Sequence, residues 1–225
     1  MSEPDVAPRL AAGRVTFMGI ELLVAPGALV PRADSELLGK TAVRLLAERR
    51  PLRLIDMCCG SGNLACGIAS ALGDAEIWAC DLTEATVTLA LKNVERLGLG
   101  SRVHVRRGDL FAALVEEDLR GTIAGVICNP PYISTGRLGK ERAELLAHEP
   151  REAFDAGPDG LSIHQRLVRE APAFLATRGL LLFQFGLGQE RQVVALLERA
   201  GEYTDIELAK NENGEPCVAV ARKRQ

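Results

Sequence analysis

Four polar side chains follow short apolar runs in the sequence, each at a point where a strand is expected to end. They are Asp56, Asp81, Asp109 and Asn129. Carboxylate and amide oxygens at such positions can accept hydrogen bonds from the hydroxyl and amine groups of a ligand. Because parallel α/β sheets bind ligands beyond the carboxyl ends of their strands, the four positions predict one shared crevice.

A glycine-rich turn follows the first of these runs, in residues 56–62 (DMCCGSG). Gly60 and Gly62 allow the backbone to approach a ligand closely, and the start of the next helix adds positive partial charge. Ala65 occupies the third glycine position of a dinucleotide-binding fingerprint, so the turn suits a carboxylate or hydroxyl rather than a pyrophosphate. A plain tight turn between strand and helix is the alternative interpretation.

The two later acidic positions suit a nucleoside. Asp81 ends the next apolar run, where a carboxylate can accept hydrogen bonds from both ribose hydroxyls. It can also act as a helix N-cap, since Thr83 and Glu84 follow it. Asp109 is placed to accept a hydrogen bond from an adenine amine, although a simple turn after Gly108 explains the same residues.

The most specific motif is Asn129-Pro130-Pro131-Tyr132 after an apolar run. Proline fixes φ and has no N–H, so the local backbone presents mainly hydrogen-bond acceptors. The side-chain carbonyl of Asn129 adds another acceptor, and Tyr132 offers an aromatic face to a planar group or a cation. The motif therefore predicts a site that holds an amine or amide by its N–H groups and directs its lone pair.

Alternating apolar runs and amphipathic segments predict the elements that position these residues. Continuous apolar strands separated by helices indicate an α/β fold with a doubly wound, mostly parallel sheet. The predicted strands are 52–57, 75–80, 102–105, 123–128, 180–185, 203–208 and 217–220. One predicted helix begins at Asp34 or Ser35 and runs to about Arg49. Two more cover residues 63–72 and 83–97. A fourth carries Leu167 to Leu175 on one face, and a fifth includes residues 193–197.

The first fifty residues are expected to differ from the rest. The first dozen residues suggest a loose tail, and the runs around Met18-Gly19 suggest a hairpin. We expect residues 1–50 to form a tail, hairpin and lid helix that pack on a catalytic domain of residues 51–225. The last two strands are close in sequence and are expected to pair antiparallel at an edge of a seven-stranded sheet.

Composition excludes several classes of protein. The 225 residues carry 27 Lys and Arg against 30 Asp and Glu, so the net charge is −3. That balance gives no global attraction to nucleic acid or to an anionic membrane. There is neither a run of 18 apolar residues nor an amino-terminal signal pattern, so we expect a cytoplasmic protein without membrane contact. Six cysteines without a Cys-x-x-Cys pair, and three histidines, indicate reduced, buried thiols and no metal site.

Taken together, these residues resemble a class I S-adenosylmethionine-dependent methyltransferase, and most closely the HemK/PrmC-type glutamine N5-methyltransferases. The resemblance runs from about residue 15 to 221 and includes segments 17–36, 149–161, Arg166 and Gln189. It implies a Rossmann-like sheet and S-adenosylmethionine as cofactor. The cofactor-binding residues that it implies are Arg32, Asp56, Cys58, Gly60, Gly62, Asp81, Leu82, Asp109, Leu110 and Asn129.

The same resemblance implies how the substrate is held. In this family the Asn-Pro-Pro-Tyr loop grips the side-chain amide of a glutamine in a release factor. Asn129, Pro130 and Tyr132 are therefore the expected catalytic residues, with the Asn129 side chain and the Pro130 carbonyl as acceptors and Tyr132 packed beside them. Arg32 and Glu36 are expected to pair and shape the cofactor lid, unless they form a surface pair only.

Several positions depart from the family pattern. Cys58 and Cys59 replace a small pair in the turn, Gln184 stands where a glutamate is common, and residues 211–217 differ from the usual late motif. Only about a dozen residues precede the hairpin, so we expect the family's helical recognition domain to be absent. These differences put the release-factor substrate in question and leave the cofactor in place.

Three functions are consistent with the sequence. The first is methyl transfer to an amide or amine nitrogen of a protein or small molecule. The second is intramolecular cyclisation of S-adenosylmethionine to azetidine-2-carboxylate with release of methylthioadenosine, as in related stand-alone enzymes. The third is a non-catalytic S-adenosylmethionine-binding subunit. The sequence does not indicate an oligomeric state.

Overall fold

A seven-stranded sheet forms the centre of the computed structural model, which describes residues 6–140 and 143–225. The strands are β1 (Arg14–Phe17), β2 (Ile20–Leu23), β3 (Arg53–Met57), β4 (Glu76–Asp81), β5 (Val103–Arg107), β6 (Ile123–Cys128), β7 (Leu175–Gln184), β8 (Tyr203–Lys210) and β9 (Pro216–Lys223). The helices are α1 (Val6–Ala12), α2 (Ala33–Leu46), α3 (Asn63–Ala71), α4 (Glu84–Arg96), α5 (Thr135–Lys140), α6 (Ser162–Glu170) and α7 (Glu190–Ala200).

The sheet has the order β5-β4-β3-β6-β7-β9-β8. Strands β3 to β7 pair in parallel, and β9 lies antiparallel between β7 and β8. The order reverses between β3 and β6, and this is where doubly wound sheets bind their ligands. The predicted fold, including the antiparallel pairing of the last two strands, is therefore confirmed.

The central strands are apolar on both faces because helices cover both sides of the sheet. All six residues of β6 are buried, and so are four of the five residues of β3. One apolar cluster packs α2, α3 and α4 on one face, and a second packs α6 and α7 on the other. Strands buried in this way have polar groups only where they end, so the strand ends are available for ligand chemistry.

The hairpin of β1 and β2 shares the core of the sheet. Phe17 and Leu22 are almost completely buried in the same cluster as α2, α3 and α4. The buried side chain of Asn93 on α4 fixes the hairpin further. Its Oδ1 accepts a hydrogen bond from the Leu23 N–H at 2.7 Å, and its Nδ2 donates to the carbonyls of Leu23 at 3.1 Å and Ser61 at 2.9 Å.

Two sequence predictions were wrong in detail. Residues 6–12 form helix α1 rather than a loose tail, while residues 1–5 lie outside the described part of the chain. Phe174 and Leu175 do not belong to a helix, because α6 ends at Glu170 and β7 already begins at Leu175. An apolar stretch that is buried on every side has no clear period, so its boundary could not be assigned from the pattern.

Replacing Asn93 with Ala should lower the free energy of unfolding by about 1–3 kcal/mol, because buried backbone groups of Leu23 and Ser61 lose their partners. Urea unfolding followed by circular dichroism measures this change. Asn213→Ala, at an exposed position, is the matched control and should leave the midpoint unchanged. Equal stability of the two variants would contradict this role of Asn93.

Candidate functional site

The glycine-rich turn between β3 and α3 is held in conformations that few side chains adopt. Cys58 has φ of +60°, and Gly60 and Gly62 have φ of +55° and +76°. A Cβ at Gly62 would lie 3.2 Å from the Ala90 Cβ, so this glycine also allows α3 to start close to α4. A Cβ at Gly60 would meet no atom within 4 Å, so the space beside this glycine is open.

Asp81 at the end of β4 is tied directly to that turn. Its Oδ2 accepts the Gly60 N–H at 2.8 Å, and its Oδ1 accepts both the Leu82 N–H at 2.8 Å and the Thr86 hydroxyl at 2.7 Å. Thr83, not Asp81, is the N-cap of α4, since its side chain accepts the Thr86 N–H. Oδ2 has one donor only, so it keeps lone-pair capacity for a ligand hydroxyl.

Asp56 is completely buried below the turn. Its Oδ2 accepts the Ala65 N–H at 2.9 Å, but its Oδ1 has no hydrogen-bond partner within the described residues. Burial raises the pKa of this carboxyl to about 8, which the hydrogen bond from Ala65 only partly offsets. The buried hydroxyl of Ser61 also has no hydrogen-bond partner among the described residues. A buried polar atom without a partner requires an explanation, and a ligand bound at this turn would supply one.

Asp109 and Leu110 follow β5 on the same edge of the sheet. Leu110 is buried with φ of +49°, whereas the Asp109 side chain is half exposed. Asp109 Oδ1 accepts a hydrogen bond from Arg166 of α6 at 2.9 Å, so the carboxylate is oriented by a second element. Leu82, which follows Asp81, exposes more than half of its surface on this side and offers apolar contact area.

The Asn-Pro-Pro-Tyr loop lines a small pocket with the start of α2 and the end of β7. Asn129 Nδ2 donates to the Ser35 hydroxyl at 3.0 Å, which fixes the orientation of the amide. Its Oδ1 is buried and has no hydrogen-bond partner among the residues that the structure describes. The pocket is lined by Leu29, Arg32, Asp34, Ser35, Asn129, Pro130, Tyr132, Ile133, Ala153, Phe154 and Gln184.

Hydrogen bonds from the side chain of Gln189 hold the Asn-Pro-Pro-Tyr loop in place. Gln189 Nε2 donates to the carbonyls of Tyr132 at 3.0 Å and Gly160 at 3.3 Å, while its Oε1 accepts the Gly186 N–H at 2.8 Å. Burial raises the pKa of the Tyr132 phenol to about 12, so the hydroxyl remains protonated at neutral pH. The loop therefore presents a neutral aromatic ring beside the acceptor oxygens.

Arg32 does not pair with Glu36, which corrects the sequence expectation. Arg32 Nη2 donates to Glu149 Oε2 at 2.6 Å, and Glu149 Oε1 also accepts the Val30 N–H at 2.8 Å. Glu36 instead binds Lys40 at 2.7 Å and accepts the Met18 N–H at 2.9 Å. Arg32 lines the acceptor pocket, and the side chain of Glu149 is almost completely buried behind it.

Sequence reasoning gave no role in the site to three residues that shape it, namely Asp34, Ser35 and Gln184. Ser35 was expected as a cap, but α2 begins two residues earlier, after Arg32, so its hydroxyl is free to bind Asn129. Asp34 and Gln184 contact each other in the pocket, with Gln184 Nε2 donating to Asp34 Oδ2 at 3.2 Å. The departure from the family residue at Gln184 was the only sequence signal for this contact.

The six cysteines are free, and five of them are buried. Burial raises the pKa of Cys66 to about 12, and that of Cys59 well above its ordinary value, so these thiols stay protonated. Within residues 6–140 and 143–225, no group of three or more His, Cys, Asp or Glu side chains is arranged to hold a metal ion. None of the helices in these ranges has the length and apolar character needed to cross a membrane.

Comparison with known proteins agrees with this geometry. Residues 35–158 match the family model of the methyltransferase small domain. The chain is 34% identical over 208 residues to the release factor glutamine methyltransferase of Gloeobacter violaceus, covering 92% of this chain and 71% of the relative. A second release factor glutamine methyltransferase, from Moorella thermoacetica, is 32% identical over 95% of this chain and 74% of its own length.

A solved structure supports the fold independently of sequence. A methyltransferase from Pyrococcus furiosus superimposes with a TM-score of 0.64 at 16% identity, covering 98% of this chain and 96% of that chain. The sheet order and the family model define the protein as a methyltransferase of the class that uses S-adenosylmethionine as methyl donor. The chain belongs to the release factor glutamine methyltransferase family and is an N-methyltransferase-type enzyme.

The residues at the strand ends fit S-adenosylmethionine. The molecule carries ribose hydroxyls, an adenine amine, an α-ammonium group and a carboxylate. Asp81 Oδ2 retains acceptor capacity, Asp56 Oδ1 is a buried polar atom with no hydrogen-bond partner among the described residues, and the space beside Gly60 is open. Acceptors, open backbone and the half-exposed Leu82 thus lie along one edge of the sheet.

Asp56 should make stability depend on pH. The folded protein retains the carboxyl proton up to about pH 8, whereas the unfolded chain releases it near pH 4. The unfolding free energy should therefore fall as pH rises through this window, by at most about 1.4 kcal/mol per pH unit. Urea unfolding between pH 5 and 8 measures the slope.

Asp56→Asn should remove this decline, since the amide oxygen still accepts the Ala65 N–H and carries no proton to release. Asp74→Asn, which changes a surface carboxylate paired with Arg50, is the matched control and should retain the slope. The same slope in all three proteins would contradict a buried, protonated Asp56.

Proposed function

We propose that the protein transfers a methyl group from S-adenosylmethionine to the side-chain amide nitrogen of a glutamine in a release factor. In this proposal the turn around Gly60 and Gly62, with Asp56 and Asp81, holds the cofactor. Cys58, Leu82, Asp109 and Leu110 complete that half of the site. Residues 51–225 form the catalytic domain, and residues 29–35 of the preceding segment add one wall of the acceptor pocket.

One observation carries the proposal. The Asn129 amide, which lines the pocket, is oriented by the Ser35 hydroxyl, and its buried Oδ1 has no donor within residues 6–140 and 143–225. A buried carbonyl oxygen without a partner costs free energy that an incoming N–H group recovers. A primary amide has two N–H groups, which Asn129 Oδ1 and the Pro130 carbonyl can accept, while Tyr132 packs against its plane.

Methyl transfer from S-adenosylmethionine mainly requires that the methyl group and the acceptor nitrogen are aligned. When bound, S-adenosylmethionine supplies an activated methyl group on a sulfonium. The task of the protein is to hold a weakly nucleophilic amide nitrogen in line with it, and such positioning contributes about 7–11 kcal/mol in well-oriented reactions. Acceptors fixed on the nitrogen also favour the positive charge that develops there. The rigid Pro130-Pro131 segment, locked by Gln189, is suited to this task.

Asp81→Asn should weaken S-adenosylmethionine binding at least tenfold, because the amide replaces one carboxylate acceptor with a donor and disturbs the Gly60 contact. Isothermal titration calorimetry measures the dissociation constant. Asp74 lies just before the amino end of β4, at the opposite end of the strand from Asp81, so Asp74→Asn removes a carboxylate away from the site and should bind normally. Equal affinities would remove Asp81 from the cofactor site.

The reaction itself is tested with purified protein, S-adenosylmethionine and a purified bacterial release factor, with products identified by mass spectrometry. We expect S-adenosylhomocysteine and a release factor heavier by one methyl group, and neither product without the release factor. Methylthioadenosine together with azetidine-2-carboxylate from S-adenosylmethionine alone would instead establish the cyclisation that the sequence left open. Binding without turnover would indicate a non-catalytic subunit.

Asn129→Ala should reduce kcat/KM at least a hundredfold while the dissociation constant for S-adenosylhomocysteine stays within threefold of wild type. The loss of an acceptor that fixes the nucleophile explains the first effect. The second follows because Asp81 and the turn around Gly60, which hold the cofactor in this proposal, are unchanged in the variant. Asn213→Ala should behave as wild type in both measurements. An active Asn129→Ala variant would refute the assigned role of the loop.

A further inference from the structure

The acceptor pocket contains more buried acceptors than the proposed reaction has so far used. Asp34 Oδ1, Asn129 Oδ1 and Gln184 Oε1 are all buried and have no hydrogen-bond partner among the described residues. They come from the start of α2, the loop after β6 and the end of β7, and all three residues line the same pocket. Asn129 has a role in the proposed function, whereas Asp34 and Gln184 do not.

Gln184 orients Asp34. Its Nε2 donates to Asp34 Oδ2 at 3.2 Å, so the other carboxylate oxygen, Oδ1, remains available. The Gln184 side chain is almost completely buried and carries no charge. Because glutamine is neutral, it places no second charge beside the Asp34 carboxylate.

The Tyr132 hydroxyl can donate a hydrogen bond to only one of two oxygens, Gln184 Oε1 or Asp34 Oδ1. The Tyr132 side chain interacts with the side chain of Gln184, and its phenol has a single proton to donate. If that proton is given to Gln184 Oε1, Asp34 Oδ1 is left facing the pocket. The Arg32 guanidinium donates to Glu149, and Asp34 Oδ1 accepts no hydrogen bond from it. Asp34 is the only carboxylate among the lining residues.

We propose that Asp34 is a further catalytic residue, which accepts the proton that the amide nitrogen loses on methylation, and that Gln184 is its positioning residue. This inference rests on the proposed function. The nitrogen lone pair forms the new bond to the methyl carbon, and the sulfur keeps the electron pair of the bond that breaks. One N–H bond then breaks, its electron pair stays on nitrogen, and the proton passes to Asp34 Oδ1.

The helix position of Asp34 allows a matched control. Asp34 and Glu36 both lie in the first turn of α2, where a negative charge interacts favourably with the helix dipole. Glu36 binds Lys40 and the Met18 N–H, and it is not among the residues that line the acceptor pocket. Comparing Asp34→Asn with Glu36→Gln therefore separates proton transfer from a contribution to helix stability.

The experiment measures kcat and KM for methylation of a purified release factor, the affinity for that factor in the presence of S-adenosylhomocysteine, and the melting temperature. For Asp34→Asn we expect kcat to fall a hundredfold or more, as for loss of a general base. The affinity should stay within threefold of wild type, and the melting temperature should be no lower than that of Glu36→Gln. Glu36→Gln should keep kcat within twofold.

Gln184→Met is the second variant and keeps Asp34 in place. It should also lower kcat at least tenfold, because Asp34 Oδ2 loses the Gln184 Nε2 donor that orients its carboxylate. A kcat for Asp34→Asn within threefold of wild type would overturn the inference. So would parallel losses of melting temperature and release-factor affinity in Asp34→Asn, with normal kcat in Gln184→Met. If the wild-type protein methylates no release factor, the proposed function is refuted. This result differs from the two outcomes that would overturn the role of Asp34.

Discussion

The register between β3 and β6 determines how close the two halves of the site lie. Met57 is paired with Cys128 in this parallel pair, so the glycine-rich turn and the Asn-Pro-Pro-Tyr loop leave the sheet side by side. Both strands are buried on both faces, and a shift of register would disrupt the close packing of their side chains against the helices. The cost of that shift keeps Cys58 next to Asn129. A methyl donor bound on one strand end therefore meets an acceptor bound on the next.

Other parts of the fold act by holding these two strand ends rigid. Asp81 joins β4 to the turn through the Gly60 N–H, and Asn93 joins α4 to both the hairpin and the Ser61 carbonyl. Gln189 and the Arg32–Glu149 pair do the same for the acceptor side. All of these partners are backbone groups or buried side chains, which have few alternative conformations. Precise alignment is what a reaction with a preactivated methyl group requires.

The sequence predicted the sheet, its edge pairing and the four strand-end residues, because these depend on local patterns of burial and turn residues. It did not predict the contacts that join distant segments. Arg32 and Glu149 are separated by 117 positions, and Asp34 and Gln184 by 150, so no periodicity links them. The shift of the α2 start by two residues, from Ser35 to Ala33, decides whether the Ser35 hydroxyl caps the helix or binds Asn129. Boundaries of this kind depend on tertiary contacts rather than on propensity.

The position of β9 inside the sheet bears on the order in which the site forms. β9 is the last strand in the chain, yet it pairs with β7 on one side and β8 on the other. Gln184, at the end of β7, is the register partner of Val218 in β9. The strands β3, β4 and β5 are close in sequence and can associate early, whereas one wall of the acceptor pocket stays unsupported until the final strand inserts. The cofactor half of the molecule can thus fold before the half that selects the substrate.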